Sequence, residues 1–444
     1  MSQNNKKVLV VAYFFPPMGG GGVQRTVKFV KYLRDFGYEP VVLTVKSGQH
    51  TVFDASLSRD IPKGVRIIRT NYFGLFFGGS EAKSKERLSS LTKKSDEVAQ
   101  KTFSWKSLLR APYHFVERMF LVPDIQTFWR GSAYRKAIKV LRKEHFDLIY
   151  STSSPYTSHL IARDLHRETK IPWVADFRDH WTLGPMYQPA SFVHQWIDRS
   201  YERSILREAS GVVFNTERNQ KDIDQFFPEI YRKACAIHNG FDSEDIHETA
   251  YYHEDEIKCF FPASFYGKVN SPEKFLKALE IVSKKVPNIS LSIAGDIDAT
   301  NRHMIESSPL YGKNIFLQGW IAHSEVTKFT TAATFLLLFV PPLTRAASWV
   351  PQKLYEYLAS GRPIFALAPK NGEATEIIEK TQTGYTVSSD LSVEDTAKEL
   401  LKFLEGLKAK NWQQRANKDE VGKFTRKNLT KKLAEFFDEV VDEA

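Results

Sequence analysis

Between Lys7 and Tyr13 the chain is apolar without interruption, and the same is true from Phe335 to Val340. A strand with one face in water alternates apolar and polar residues. An unbroken run belongs to a strand covered on both faces, as in a parallel sheet flanked by helices. The segments between such runs have the matching helical character. Residues 23–36 place Val27, Val30 and Leu33 on one face, Gly37 stops the helix, and residues 40–45 read as the next strand. Further strands are predicted at 64–69, 146–151, 172–177 and 211–215, and a strand and turn at 233–242. Helices are predicted at 156–168 and 192–209. A polar stretch, 243–256, reads as a linker, after which the alternation restarts. Strands are predicted at 257–263, 289–294, 314–319, 335–340 and 384–387, and helices at 273–285, 374–380 and 395–407. An amphipathic helix at 424–441 ends the chain. The pattern predicts an α/β protein of two doubly wound parallel-sheet domains, 1–242 and 257–423, with 424–444 packing back on the first.

One stretch breaks the rhythm. Residues 72–135 begin apolar (Phe73, Leu75, Phe76), turn lysine-rich (Lys83, Lys85, Lys93, Lys94) and end aromatic and basic (Trp105, Arg110, Tyr113, Arg118, Phe120). They read as a helical insertion. A basic amphipathic helix with Trp and Phe suits a membrane interface, the same mixture suits stacking on nucleic acid, and a lid packed on the first domain is the plain structural alternative. The net charge of +10 favours anionic partners: nucleotides, an anionic membrane surface or nucleic acid. Nucleic acid is the least favoured, because lysines are spread among acids in the C-terminal helices. Two cysteines, Cys235 and Cys259, form neither a disulfide framework nor a metal spacing, which points to a reducing compartment. The opening Met-Ser-Gln-Asn-Asn-Lys-Lys does not read as a signal peptide, and no apolar run is long enough to span a membrane.

Residues 350–367 carry the sharpest chemical signal. Leu354, Tyr357 and Leu358 recur at helical spacing, Gly361 fits a left-handed cap, and a strand follows. Glu356 sits beside that apolar face, where a carboxylate needs a hydrogen-bonding partner such as a sugar diol. Gly19 to Gly22 lie between a strand and a helix, so their amides can approach a phosphate; a flexible turn is the alternative. The spaced dinucleotide fingerprint is absent. Lys268 follows the first strand of the second half, in a loop with Ser264 and Tyr266, where a lysine can neutralise a diphosphate. Arg345 and Lys353 flank another strand end, and each of these cations competes with a solvated surface role. Asp176, Arg178, Asp179 and His180 follow a strand end as a catalytic or acceptor-binding edge, or as a capping cluster. His159 is a lone helical histidine, a kind more often structural than functional. Asp222 with Asp224, and Asp296 with Asp298, are weak metal signals.

In order, Tyr13-Phe-Phe-Pro-Pro-Met-Gly-Gly20, Asp176-Phe-Arg-Asp-His-Trp181, Ile237-His-Asn-Gly-Phe-Asp242, Gly295-Asp296, Gln318-Gly-Trp320 and Lys353-Leu-Tyr-Glu-Tyr-Leu-Ala-Ser-Gly-Arg-Pro363 resemble the retaining glycosyltransferases of family 4. The likeness covers nearly everything outside 72–135. It implies the GT-B fold, in which two Rossmann-like domains face a cleft. It also implies a metal-independent transfer of a sugar from a UDP-, GDP- or dTDP-linked donor to a hydroxyl of a glycan or lipid-linked acceptor, with no cofactor. The Lys353 to Pro363 variant is similar to members that build bacterial surface polysaccharides, which implies a cytoplasmic enzyme peripheral to the inner face of the membrane.

The resemblance also distributes roles. Glu356 would accept hydrogen bonds from the ribose, Gly319, Trp320 and Ile321 would flank the base, and Gly20, Gly21 and Gly22 would close on the diphosphate. Lys268 would be the basic catalytic residue, with Lys274 the competing match for the second basic position. Ser264, Tyr266, Gly295, Ser348, Val350 and Lys353 would complete the donor site. Arg178 and Asp179 would serve catalysis, and Asp176 and His159 the acceptor. Ser348 stands where the family carries a glutamate that contacts the donor sugar. A sugar-nucleotide epimerase of the same fold and a non-catalytic nucleotide-sugar-binding module are the alternative readings.

Overall fold

The computed structural model describes residues 5–46, 53–72, 122–184, 187–189, 191–245, 256–262, 265, 271–321, 323–341, 346–408 and 415–444. The chain divides into two compact units, Met1–His238 with Leu429–Ala444, and Asn239–Asn428.

The first unit is built on seven strands: β1 (Lys6–Val11), β2 (Tyr38–Val45), β3 (Arg66–Thr70), β4 (Leu148–Thr152), β5 (Trp173–Phe177), β6 (Gly211–Phe214) and β7 (Ala234–Ala236). They lie in the order β3-β2-β1-β4-β5-β6-β7, and neighbouring strands run parallel. β1 is central, which accounts for its unbroken apolar run. Leu9 and Val11 face a cluster with Trp129, Ala133, Leu160 and Ile161 from helices Thr127–Leu141 and Thr157–Thr169. Val8 and Val10 face the opposite layer. There helix Gly21–Tyr32 contributes Val27 and Val30, and the terminal helix Arg426–Asp442 contributes Leu433, Phe436 and Phe437. Asp438 ties that helix to the sheet by accepting from Lys6 Nζ at 2.7 Å and Tyr38 OH at 2.8 Å. Gly211 lets the terminal helix approach, since a Cβ there would stand 2.7 Å from Val440 and 2.9 Å from Phe436.

The expected insertion at 72–135 lies mostly outside the described residues, but its expected end is too late. Residues 127–135 belong to helix Thr127–Leu141, a regular crossover before β4. Trp129 is fully buried there and donates from Nε1 to Thr70 Oγ1 at 2.7 Å.

The second unit has six strands: β8 (Ile257–Pro262), β9 (Ile289–Ala294), β10 (Ile315–Gly319), β11 (Phe335–Phe339), β12 (Ile364–Ala368) and β13 (Gly384–Ser388). Their order is β10-β9-β8-β11-β12-β13, again with parallel neighbours. Helices Glu273–Ser283 and Val393–Lys408 cover one face through Phe275, Leu279, Leu400 and Phe403. Helices Gln352–Ser360 and Glu373–Thr381 cover the other through Leu354, Tyr357, Leu358 and Ile378. Helices Ala299–Glu306 and His323–Ala332 complete the crossovers; their short, polar sequences do not announce them.

The units divide at His238–Asn239 rather than at 242, because Phe241 belongs to the second core. Phe241 donates its N–H to Phe424 O at 3.1 Å and its carbonyl accepts from Arg426 N at 2.7 Å. The segments entering and leaving the second unit are thereby clasped together. No helix among the described residues is long and apolar enough to cross a membrane.

Candidate active site

In both sheets the strand order reverses beside the first strand, between β1 and β4 and between β8 and β11. Loops that leave the carboxyl ends of strands at such a reversal open a crevice, the usual ligand position in open α/β sheets.

In the second unit this reversal carries the 350–367 stretch. Helix Gln352–Ser360 follows β11 and is anchored by Tyr357, whose hydroxyl donates to Leu337 O at 3.0 Å. Leu354, Tyr355, Tyr357 and Leu358 are buried, and Gly361 ends the helix at φ +65°. Glu356 stays half-buried at the margin of the apolar face. One turn earlier, Lys353 lays its ammonium over the Phe261 ring of β8, 4.5 Å from the centroid. Burial lowers the Lys353 pKa to about 8, with the Glu356 carboxylate pulling the other way. A half-buried cation held on an aromatic face is suited to an anionic ligand.

Neighbouring strand ends contribute backbone. Gly295, at φ +143°, donates its N–H to Gly319 O at 2.8 Å, and Gly319 itself sits at φ +67°. Trp320 beyond it is 77% exposed, and Ile321 packs half-buried against the second core. Ser348 lies in a short turn, Ala346–Ser348, and is buried, as is Val350. That turn meets the start of helix Glu373–Thr381: a Cβ on Gly372 would stand 3.6 Å from Ala347 O. This meeting was not legible in the sequence, because nothing local pairs 347 with 372. Lys274 donates to Ser389 O at 2.5 Å, just beyond β13. Asp298 caps helix Ala299–Glu306 by accepting from Asn301 N at 2.9 Å, which accounts for half of the Asp296–Asp298 signal. Lys268, Ser264, Tyr266 and Arg345 lie outside the described residues.

In the first unit the glycine run and the Asp176 to Trp181 edge come together. Gly20, at φ +95°, caps helix Gly21–Tyr32, so Gly21 and Gly22 form its first turn. Arg178 Nη1 donates to Gly22 O at 3.3 Å, and a Cβ on Gly22 would stand 3.1 Å from the same nitrogen. Asp179 is exposed. Trp181 is buried and stacks on Tyr156 at 4.2 Å, with the planes 7° apart. His180 is buried, 3.6 Å from Asp222.

Two expected acceptor residues are not available at this edge. Asp176 is 0% exposed and paired through both oxygens with Arg25, itself 1% exposed. Tyr150 and Thr152 also donate to it, at 2.6 and 3.0 Å. Burial alone would raise its pKa, and the Arg25 guanidinium with these hydroxyls overrides that and holds it below the usual carboxylate range. Asp176 therefore holds helix Gly21–Tyr32 against the sheet. His159 is also fully buried, with Nδ1 2.8 Å from Ser151 Oγ, and burial lowers its pKa to about 3. It is a neutral core histidine.

Comparison with solved structures finds the same fold at low identity. HepE from Anabaena, solved with UDP, is 16% identical, has a TM-score of 0.59, and is matched over 98% of this chain and 100% of that one. A glycosyltransferase from Rickettsia africae is 14% identical, with a TM-score of 0.62 and coverage of 99% and 100%. A TarM variant from S. aureus, solved with Fondaparinux, alpha-GlcNAc-glycerol and UDP, is 14% identical, with a TM-score of 0.57 and coverage of 98% and 100%. Comparison with curated protein sequences gives no match. Residues 20–240 match the model of the glycosyl transferase 4-like domain, and residues 256–406 that of the glycosyl transferases group 1. The two matches together take in most of the chain, which belongs to the glycosyltransferases built from these two domains.

Proposed function

We propose that the chain is a retaining glycosyltransferase, moving a sugar from a nucleotide-sugar donor to a hydroxyl of a glycan or lipid-linked acceptor in surface-polysaccharide assembly. The observation that carries the reading is the placement of Lys353 and Glu356 one turn apart on one helix at the β8–β11 reversal, with Lys353 over the Phe261 ring. Glu356 accepts from the ribose hydroxyls, and Lys353 meets the negative charge of the diphosphate. Gly295, Gly319, Trp320 and Ile321 form the side where the base lies, and Val350 backs the donor site. Ser348 replaces the family's glutamate near the donor sugar, so recognition of that sugar falls more to backbone and to neighbouring groups.

In the transfer the bond from the anomeric carbon to the diphosphate oxygen breaks and a bond to the acceptor oxygen forms on the same face. The acceptor proton passes to the departing phosphate. No protein nucleophile, metal or cofactor takes part. The protein lowers the barrier by positioning and by stabilising charge on the leaving group, the role of Lys353 and of Lys268. The amides of Gly20 to Gly22, backed by Arg178, form a second anion-binding turn, and Asp179 is the exposed carboxylate that orients the acceptor.

Neighbours solved with UDP and UDP-glucose make UDP sugars the first donors to try. The test is a thermal-shift screen of UDP, GDP, dTDP and ADP sugars, followed by product analysis with glycan and lipid-linked acceptors. A donor-specific shift and a product that keeps the anomeric configuration support the reading. Inverted product, or donor epimerisation without transfer, would replace it.

A further inference from the structure

Helix Phe192–Glu208 presents an outward face of unusual composition. Phe192 is 82% exposed and Trp196 71%, and Arg199, Arg203 and Arg207 are exposed as well. The spacing of four, three, four and four residues sets all five side chains on one stripe. Val193 widens the apolar end. Arg203 also lies over the Phe227 ring, 5.9 Å from its centroid, which brings the turn after helix Glu217–Asp224 alongside, and Phe226 in that turn is 57% exposed.

The acids of the helix are turned away from this face. Asp198 is buried and accepts from Tyr187 OH at 2.8 Å. Glu202 is buried and accepts from Thr182 through N–H and hydroxyl. Glu208 accepts from Arg167 Nε at 2.6 Å. The outer stripe of the helix is therefore aromatic at one end and cationic along the rest.

We propose that this face docks on an anionic phospholipid surface. Aromatic rings with large exposed area insert at the headgroup boundary, and adjacent arginines meet lipid phosphates. A second copy meeting this face across a two-fold axis at its centre would set Arg199 against its own copy, a like-charge contact that a phosphate surface avoids. The inference concerns location and holds whether or not the donor reading does.

The test is co-sedimentation of the full chain with vesicles of phosphatidylcholine alone and of phosphatidylcholine with phosphatidylglycerol, at low and physiological salt. Binding should require phosphatidylglycerol and weaken with salt. Phe192→Ser with Trp196→Ser should reduce partitioning by at least about tenfold. Arg199→Gln with Arg203→Gln should reduce it roughly fivefold per arginine. Both variants should keep the wild-type melting temperature and nucleotide affinity. Lack of wild-type binding to anionic vesicles would overturn the proposal, as would equal binding by folded variants. Sedimentation velocity without lipid supplies a further arm: a dimer that Trp196→Ser dissociates would assign the face to a second copy. Competition by duplex or single-stranded nucleic acid, bound more tightly than the vesicles, would likewise overturn it.

Discussion

Replacing Asp176 by Asn removes one charge while keeping the shape of the side chain. Oδ1 accepts from Arg25 Nη2 at 2.9 Å; Oδ2 accepts from Arg25 Nε at 2.9 Å, Tyr150 OH at 2.6 Å and Thr152 Oγ1 at 3.0 Å. An Asn amide has one acceptor oxygen, so wherever its NH2 is placed a donor meets a donor. Arg25, 1% exposed, would then carry an uncompensated charge in the core. Breaking a buried pair from one side costs about 3–5 kcal/mol. For a unit of this size that corresponds to a fall in melting temperature of roughly 6–20 °C. Urea unfolding and calorimetry of the full chain measure the loss. The double variant Arg25→Met, Asp176→Leu should lose much less than the two single variants combined, because it leaves no buried charge behind. A loss below about 1 kcal/mol for Asp176→Asn would refute the positioning role argued for this pair.

Other consequences are as direct. His159, with its pKa lowered from 6.5 to about 3, stays neutral in the folded protein while the unfolded chain takes up a proton. Its contribution to stability is complete above pH 6.5 and is lost as pH falls from there towards 3, and His159→Gln should flatten that part of the pH–stability curve measured by urea unfolding. Lys353, lowered to about 8, should make donor affinity constant below that pH and weaker above it; Lys353→Arg should abolish the pH dependence in calorimetry, and Lys353→Met should weaken binding at every pH. Gly384→Ala puts a Cβ 2.3 Å from Ile364 O, a backbone atom in the neighbouring strand, and should destabilise the protein by at least about 2 kcal/mol in urea unfolding.

The alternation of strands and helices was legible because burial on both faces writes unbroken apolar runs, and β1 and β11 show that relation directly. Helix ends set by Gly37 and Gly361 were legible for the same kind of local reason. Helix Thr127–Leu141 was blurred into the insertion because the first half of its buried face is one aromatic, Trp129, and the small Ala133 and Ala137, set among polar and basic neighbours. At the site, Glu356 stood out as a carboxylate beside an apolar face, and the Gly22–Arg178 contact joins two motifs singled out separately. The role of Asp176 was not legible, whereas the core place of His159 is the structural role commoner for a lone helical histidine. Charged and polar residues at a strand end look alike in sequence whether they face a ligand or a buried arginine, and the partner, Arg25, lies 151 positions away. The Lys353–Phe261 contact is equally non-local, joining a helix after β11 to the first strand of the second sheet.

The central claim is that the second unit holds a nucleotide sugar through Glu356. Isothermal titration calorimetry of the wild type and Glu356→Ala, with the donor that gives the largest thermal shift, tests it most directly. Loss of two charge-assisted hydrogen bonds to the ribose should weaken binding by roughly 100-fold or more, with the melting temperature of the unliganded protein unchanged. Equal affinity of wild type and Glu356→Ala for every nucleotide sugar tried would contradict the account.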